Sequence, residues 1–316
     1  MKQNAFFRLA LALLILFSCK KENVSRIIPT IPQDTLATGW KKIAFVDSIP
    51  GLSDIFFIGN TGFSIHSTII YKTTDGGINW IKIPVSVNGL SNIGMGNDQN
   101  AIFVGAKNKI IVTHNAGVLF DTVVVADASI SDVFFVSATT AYAAGNSIWK
   151  TTDAGSSWTK LYDFNVTDRY ESLHFINDKT GWVIRKDGLY KTSNGGLAWQ
   201  AINTGTTIKF EGYHIVFFPD ETHGYISDSY SVARSNDGGL SWTTSYVGDT
   251  IFHDIHFISA NTGYITDKSR ILKTIDGGNT WNTEVGVAWD RIIELHFTDA
   301  NHGWACGSEG ILKYEK

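Results

Sequence analysis

The sequence is poor in several residue types, and each shortage excludes a class of protein. Two cysteines among 316 residues rule out a disulfide framework, a cysteine-rich zinc module and a CxxC redox centre. Five prolines argue against a Pro-rich extended protein. A formal net charge of −4 argues against a general nucleic-acid-binding protein, because such proteins need a basic surface to displace counterions from phosphates. We therefore expect no nucleic-acid partner.

The residues that are present indicate a folded protein built from strands. Aromatic residues make up 13% of the chain and charged residues only 18%, which is too apolar a composition for a disordered chain. The chain is long enough to bury a sizeable core. Its content of threonine, isoleucine, valine and aromatic residues favours strands over helices.

The first 18 residues have the features of an export signal. Lys2 and Arg8 precede an apolar run at residues 9–17, which is shorter than the roughly 20 residues that a membrane-spanning helix needs. The run ends in the sequence LFSC at residues 16–19. This sequence resembles the bacterial lipobox, whose cysteine is diacylated and becomes the mature N-terminus. The alternative is an ordinary signal peptide beside an incidental cysteine.

Cys19 is followed by two lysines and a glutamate, a start that resembles lipoproteins of the Bacteroidetes type. The resemblance implies a lipid anchor at Cys19 and a place in the cell envelope, at the outer membrane. Residues 19–37 are polar and interrupted by two prolines, which predicts a tether between the anchor and the folded part of the chain.

The rest of the chain repeats one motif. Four full copies are Thr73-x-Asp75-x-Gly77-x-x-Trp80, Thr151-x-Asp153-x-Gly155-x-x-Trp158, Ser235-x-Asp237-x-Gly239-x-x-Trp242 and Thr274-x-Asp276-x-Gly278-x-x-Trp281. Two weaker copies are Thr113-x-Asn115-x-Gly117-x-x-Phe120 and Thr192-x-Asn194-x-Gly196-x-x-Trp199. From one Asp or Asn to the next, the intervals are 40, 38, 41, 43 and 39 residues. Such regular spacing indicates a repeat architecture.

Each copy follows two further strand signals, so that one period of about 40 residues holds four short strands, as in a propeller blade. Seven first strands can be counted. The last blade ends at residues 311–314, before its own motif, and the missing outer strand is found near the N-terminus at Trp40. The sequence therefore predicts an all-β, seven-bladed β-propeller at residues 38–316, with the last blade closed by N- and C-terminal strands.

These repeats, together with Gly181-Trp182, Gly224-Tyr225, Gly263-Tyr264 and Gly303-Trp304, resemble the BNR/Asp-box propellers, and most closely the photosystem II stability/assembly factor-like family. The resemblance implies binding of partner polypeptides through a basic patch. Sialidases, xyloglucanases and sorting receptors share the same repeat, so the motif is specific for fold and not for function.

The repeated aspartates could be read as catalytic or calcium-binding, but a turn role explains them better. Such an Asp accepts hydrogen bonds from its own turn, the glycine supplies a left-handed conformation, and the Trp packs between sheets. Asn serves as well in two copies, because the turn needs an acceptor and no charge. The predicted structural residues are Asp75, Asn115, Asp153, Asn194, Asp237 and Asp276, with Trp80, Trp158, Trp199, Trp242 and Trp281.

The first strands carry two polar columns. One holds His174, His256 and His296 in the same column as Phe56, Phe134 and Val216, which favours packing between blades over a zinc site. The other holds Asp54, Asp132, Asp254 and Glu294, which could be solvated, cap backbone turns or hold an ion. Cys306 lies in an apolar strand and is expected to be a buried free thiol. We expect neither a resident metal nor a cofactor.

The nonrepeating loops opposite the Asp-box turns carry the candidate binding site. Cations interleaved with aromatic residues are typical of protein- or glycan-binding surfaces, although ordinary solvated loops would look similar. The predicted rim consists of Asp168, Arg169, Tyr170, Arg185, Trp289, Asp290 and Arg291. Its two Asp-Arg pairs align three blades apart, which would place them nearly opposite each other across the channel mouth.

The sequence therefore favours a non-catalytic, membrane-anchored, monomeric scaffold that binds protein partners. The alternative is a glycan-binding protein or a glycoside hydrolase of the Asp-box propeller type. A xyloglucanase-like hydrolase needs two opposed carboxylates, for which Asp168 and Asp290 are the candidates.

Replacing Cys19 with Ala is expected to release the protein from the membrane fraction, because acyl chains contribute about 0.8 kcal/mol per buried methylene. Membrane fractionation and intact-mass measurement check this. Equal membrane retention, with no loss of lipid mass in the variant, would contradict the anchor.

Overall fold

The computed structural model describes residues 26–27, 39–43, 51–125, 129–163, 170–205, 215–248 and 250–316, with residues 26–27, 170–171 and 247 described by their backbone alone. All regular elements in these residues are strands, arranged in seven antiparallel sheets. The predicted all-β, seven-bladed β-propeller is confirmed. Within the described part of the chain, no helix is long and apolar enough to cross a membrane.

The strands follow a regular order from the inner to the outer edge of each blade. The first two strands in the chain are β1 (Arg26–Ile27) and β2 (Trp40–Ile43). Blade one contains β3 (Asp54–Ile58), β4 (Thr61–His66), β5 (Ile69–Thr73) and β6 (Trp80–Pro84). Blade two contains β7 (Asn92–Met95), β8 (Ala101–Val104), β9 (Lys109–Thr113) and β10 (Asp121–Val124). Blade three contains β11 (Asp132–Phe135), β12 (Ala141–Ala144), β13 (Ile148–Thr151) and β14 (Thr159–Tyr162).

The remaining blades repeat this order. Blade four contains β15 (Tyr170–Phe175), β16 (Gly181–Arg185), β17 (Gly188–Thr192) and β18 (Gln200–Ile202). Blade five contains β19 (Ile215–Phe217), β20 (Gly224–Ser227), β21 (Ser231–Ser235) and β22 (Thr243–Val247). Blade six contains β23 (Phe252–Phe257), β24 (Gly263–Asp267), β25 (Arg270–Thr274) and β26 (Asn282–Gly286). Blade seven contains β27 (Ile292–Phe297), β28 (His302–Gly307) and β29 (Gly310–Glu315).

The outer strand of blade seven comes from the other end of the chain. β2 pairs antiparallel with β29, with Trp40 opposite Tyr314 and Ile43 opposite Ile311. The prediction that both termini close the last blade is confirmed. β1, which falls inside the predicted tether, pairs with β6 as a fifth strand on blade one, with Ile27 opposite Trp80.

Aromatic side chains fill the seams between blades. A Trp or Tyr from the second strand of one blade stacks on a Phe from the first strand of the next, with ring centroids 3.5–4.4 Å apart. In the described residues these pairs are Tyr142 on Phe175, Trp182 on Phe218, Tyr225 on Phe257, Tyr264 on Phe297 and Trp304 on Phe57. Each of these Phe rings also meets, edge-on, the Trp that begins the outer strand of its own blade. In blade seven that Trp is Trp40.

The stacks explain why glycine precedes the stacking aromatic residue in the second strand. That glycine lies opposite the Phe of its own blade, and a Cβ atom added to it would lie only 2.3–2.6 Å from the Phe ring. Real Cβ atoms do not approach other atoms so closely, so the ring can lie flat against the strand only where there is no side chain. The positions are Gly62, Gly181, Gly224, Gly263 and Gly303.

The Asp-box turns join the third and fourth strands and define what we call the lower face. In blade one, the Thr73 hydroxyl donates to Asp75 Oδ1 at 2.8 Å and accepts from the Gly77 N–H at 3.0 Å. Asp75 Oδ1 also accepts from the Asn79 N–H at 2.8 Å, and Trp80 Nε1 donates to the Gly77 carbonyl. Equivalent turns follow around the ring, so these side chains are held in structural hydrogen bonds.

The hydrogen bonds keep the turn carboxylates ionised. Bonds from Ser241 lower the pKa of Asp237 to about 2, and bonds from Thr280 lower the pKa of Asp276 to about 2. An aspartate with such a low pKa holds no proton to give at neutral pH and is a weak base.

Replacing Gly263 with Ala is expected to lower the free energy of unfolding by about 1–3 kcal/mol, because the new methyl group would collide with the Phe257 ring and force the seam apart. The matched control is Gly286→Ala at the exposed end of β26, where a Cβ has no neighbour within 4 Å; we expect a change of at most about 0.5 kcal/mol there. Denaturant unfolding measures both. Equal effects at the two sites would contradict the packing account.

Candidate functional site

The channel and the upper face, opposite the Asp-box turns, bring together the nonrepeating polar residues. The first strands of all blades surround a central cavity of about 530 Å³. The upper face carries the segments that link successive blades and the loops between second and third strands.

Polar side chains at the upper ends of the first strands connect each blade to the next. Asp132 Oδ2 accepts from the Leu173 N–H at 2.7 Å, and Asp254 Oδ2 accepts from the Leu295 N–H at 2.8 Å. Asp54, Asn92 and Ser172 accept in the same way from Ile93, Val133 and Val216. The carboxylates of this column therefore fasten neighbouring blades by hydrogen bonds to the backbone.

Glu294 occupies the same column in blade seven but bonds differently. Its carboxyl group hydrogen-bonds the carboxylate of Asp254. Burial, followed by the charges of Asp254 and Asp54, raises the pKa of Glu294 well above its ordinary value. Burial also raises the pKa of Asp132 and of Asp254 to about 6. Glu294 thus keeps its proton to a higher pH than an ordinary glutamate, and in its protonated form it donates a hydrogen bond to Asp254.

Below the carboxyl groups, six rings form a belt around the channel. Successive ring centroids from Phe134 through His174, Phe217, His256 and His296 to Phe56 lie 4.5, 4.9, 5.2, 5.5 and 4.1 Å apart. The belt is interrupted at blade two, where Gly94 stands in this column. The predicted membership is corrected in blade five: Phe217 belongs to the column and Val216 does not, because Phe217 pairs with Tyr225 as His174 pairs with Trp182.

The belt histidines are packed and hydrogen-bonded, as expected from the sequence. Nε2 of His174 donates to the Phe218 carbonyl at 2.9 Å, and Nε2 of His296 donates to the Phe57 carbonyl at 2.8 Å. Burial lowers the pKa of His174 and His296 to about 4 and, with the neighbouring histidines, that of His256 to about 3. All three are neutral at pH 7. No cluster of three or more His, Cys, Asp or Glu in the described residues could hold a metal ion.

A groove of about 510 Å³ lies on the upper face, where blades five, six and seven meet. Arg291 is 51% exposed in it and its Nε lies 3.8 Å from Asp290 Oδ2. Burial and the charge of Arg291 lower the pKa of His253. The groove is lined by Tyr230, Thr250, Ile251, His253, Lys268, Asp290 and Arg291.

The structure divides the seven residues of the predicted rim into four groups. Asp290 and Arg291 lie together in the groove. Asp168 and Arg169 lie outside the described residues, so their placement across the channel mouth stays a prediction. Tyr170 begins β15, with its backbone paired to Arg185.

Two predicted rim residues are corrected, because their side chains are buried. Arg185 is 1% exposed and its Nε lies 3.0 Å from Asp187 Oδ1, with the guanidinium over the Tyr190 ring. Trp289 is 5% exposed and belongs to the core of the closing blade, with Lys42 Nζ 5.5 Å from the centre of its ring. Neither side chain is available to a partner on the surface.

Sequence reasoning missed Tyr230 and His253 as groove residues. Tyr230, which is 50% exposed, lies in the loop of blade five that corresponds to the Lys268 loop of blade six. Aligning the repeats loop by loop would have found it. His253 follows the first residue of β23, and nothing in its local sequence shows that it faces a groove.

The comparisons with known proteins show the fold. A structure of YCF48 bound to a D1 peptide is 17% identical with a TM-score of 0.74 and covers 92% of this chain and 98% of that one. YCF48 from Cyanidioschyzon merolae is 16% identical with a TM-score of 0.71 and covers 88% and 98%. The GH74 enzyme of Niastella koreensis is 14% identical with a TM-score of 0.65 and covers 84% of this chain and 52% of the enzyme. No family profile and no curated protein sequence matches the chain.

Replacing Glu294 with Gln is expected to raise the melting temperature at pH 8 by a few degrees and to leave it nearly unchanged at pH 4. A raised folded-state pKa means that the contribution of Glu294 to stability is present below its unfolded pKa and is lost as the pH rises through the folded value. Gln cannot ionise and still donates to Asp254. For a domain of this size, about 1 kcal/mol shifts the melting temperature by roughly 2–4 °C.

The matched control is Glu309→Gln, since Glu309 is exposed and forms only a surface ion pair with Lys42. Thermal unfolding from pH 4 to pH 8 should then show little change in its profile. A Glu294→Gln variant that is less stable than the parent at pH 8 would show that the ionised form of Glu294 supports the fold.

Proposed function

We propose that this protein is a non-catalytic, membrane-anchored propeller that binds polypeptide partners through the groove on its upper face. The observation that carries the proposal is the groove itself, where the exposed groups Tyr230, Lys268 and Arg291 surround about 510 Å³ of open space. Arginine and tyrosine are enriched at protein interfaces, where they combine apolar contact area with directed hydrogen bonds.

The interior supports a surface role. The polar side chains of the channel are occupied by hydrogen bonds to backbone groups or to each other. The aspartates of the lower face are occupied in turns. Exposed loop residues are free of such structural duty and can contact a partner without loss of the fold.

The likeness to YCF48 supports a polypeptide ligand. That propeller has been seen with a bound D1 peptide, so a propeller of this architecture can hold a peptide. The resemblance of this sequence to the assembly-factor-like branch of the Asp-box propellers points the same way. A role in photosynthesis does not follow, because a bacterial lipoprotein, which the N-terminus resembles, need not have any connection with photosynthesis.

The membrane part of the proposal rests on the sequence. The lipobox-like residues 16–19, acylated at Cys19, would hold the propeller at the outer membrane through residues 19–37. A protein fixed to a membrane and offering a binding groove is suited to recruiting partners at that surface, and a monomer suffices for this.

Replacing Arg291 with Ala is expected to weaken partner capture several-fold while leaving the melting temperature unchanged, because an exposed loop cation contributes little to stability. Salt should weaken capture by the parent protein as well. The measurement is a pull-down from detergent-solubilised native membranes with the tagged full-length protein. The matched control is Lys179→Ala, an exposed cation next to the lower face. Equal capture by all three proteins would contradict the groove as the binding site.

The alternative function is a glycan-binding protein or a glycoside hydrolase, and the likeness to the GH74 enzyme is the observation that favours it. Among the described residues that line the groove, Asp290 is the single carboxylate. Hydrolysis with inversion or retention uses two carboxylates about 5–9.5 Å apart, so Asp168 or another residue would have to supply the second. Release of reducing sugar from xyloglucan by the parent protein, abolished by Asp290→Asn, would favour this reading.

A further inference from the structure

The outer sides of blades one and two form an apolar groove that the proposed partner-binding surface does not use. Its volume is about 570 Å³. One wall is β6, through Ile81, Ile83 and the following Val85, and the other is the Asp-box turn of blade two, through Val118 and Leu119. Val118 is 72% exposed and Leu119 is 67% exposed. Clustered exposed apolar groups of this kind mark contact with a protein or a lipid surface.

The N-terminal strand identifies which surface lies nearest. β1 pairs with Trp80 and Ile81 of β6, the strand that forms one wall of the groove. Seven residues separate Arg26 from Cys19 (26 − 19 = 7), and a fully extended chain covers at most about 3.6 Å per residue, or about 25 Å in all. Cys19 can therefore be at most about 25 Å from Arg26, which pairs with Ile81 in the wall of this groove.

The opposite side of the ring is beyond that reach. A line from the outer edge of blade one to that of blade five crosses four strands of each blade, which at about 4.8 Å per strand is about 38 Å before the channel is counted. The groove on blades one and two is therefore within reach of a lipid anchor at Cys19, as is Ile78 in the Asp-box turn of blade one, whereas the turns of blades four and five are not.

We propose that the outer sides of blades one and two face the membrane, with Val118 and Leu119 inserted among the lipid headgroups. The inference rests on the proposed lipid anchor at Cys19. It places the outer edge of blades one and two at the membrane on the side of the lower face, because Val118 and Leu119 lie in an Asp-box turn. Apolar side chains at this depth are typical of proteins that lie on a bilayer.

The repeat provides matched controls. Leu197 and Leu240 occupy the Asp-box turns of blades four and five, and they are 62% and 68% exposed. Exposure alone would therefore make all of these turns equally good membrane contacts. Of the turns that carry Val118, Leu197 and Leu240, only that of blade two lies beside β6, the strand that pairs with β1.

The experiment uses the full-length acylated protein with single substitutions Val118→Cys, Leu197→Cys and Leu240→Cys, each labelled with an environment-sensitive fluorophore. Cys306 is buried and does not compete for the label. Each protein is measured in detergent and in vesicles of phosphatidylethanolamine and phosphatidylglycerol that contain a headgroup-linked quencher. We expect a blue shift and several-fold stronger quenching in vesicles for Val118→Cys, and neither change for the two controls. Leu119→Cys serves as a second site should the first variant misfold.

The other outcomes overturn the proposal in distinguishable ways. Vesicle-bound protein whose label at position 118 stays in water overturns the orientation and leaves the anchor intact, as does equal quenching at all three positions. A concentration-dependent blue shift without vesicles identifies a second copy as the occupant of the groove. A parent protein that carries no acyl mass and stays in the soluble fraction overturns the anchor, and the orientation with it; the Arg291 experiment still tests the partner groove separately.

Discussion

Stacking of aromatic rings across the seams between blades is the constraint on which this structure depends. A single blade has two apolar faces and can bury them only against its two neighbours, so no blade is stable alone. Each seam is therefore formed by two blades together, with the Trp or Tyr of one blade stacked on the Phe of the next. The Trp of the Asp-box holds the Phe from its other edge. The repeated glycine, the repeated aromatic residue and the repeated turn are thus parts of one packing unit.

The same constraint decides where function can reside. Side chains that face a seam or the channel must pack against neighbouring blades, and Asp132, Asp254 and His174 there form hydrogen bonds from one blade to the next. Even the carboxyl groups of Glu294 and Asp254 are hydrogen-bonded to each other. The loops of the upper face and the outer sides of the blades are not constrained by packing between blades. They form the two surfaces for which we propose roles, one for polypeptide partners and one for the membrane.

Much of the fold could be predicted because each blade carries a sequence motif whose residues lie close together in the chain. The hydrogen bonds of a Thr-x-Asp-x-Gly turn join residues of the turn itself, so the turn can be predicted from its own sequence without knowing which blades lie beside it. The candidate site was harder to predict, because the exposure of a loop side chain depends on residues of other blades. Arg185 and Arg291 both lie at strand ends on the upper face, yet the first is covered and the second is open. The sequence predicts Val216 in the ring column, whereas the structure has Phe217 there. A shift of one residue moves a side chain to the opposite face of a strand, and no sequence motif fixes the register of β19.

The seventh blade, built from both ends of the described chain, restricts the order in which strands can pair during synthesis. β2 precedes all seven blades in the chain, but its partner β29 belongs to the last of them, so β2 cannot pair until the residues of every blade have been synthesised. Until then both ends of the array carry open strand edges, which invite pairing with other chains. A truncated chain lacking β29 would leave a ring that cannot close, because β2 would have no strand to pair with.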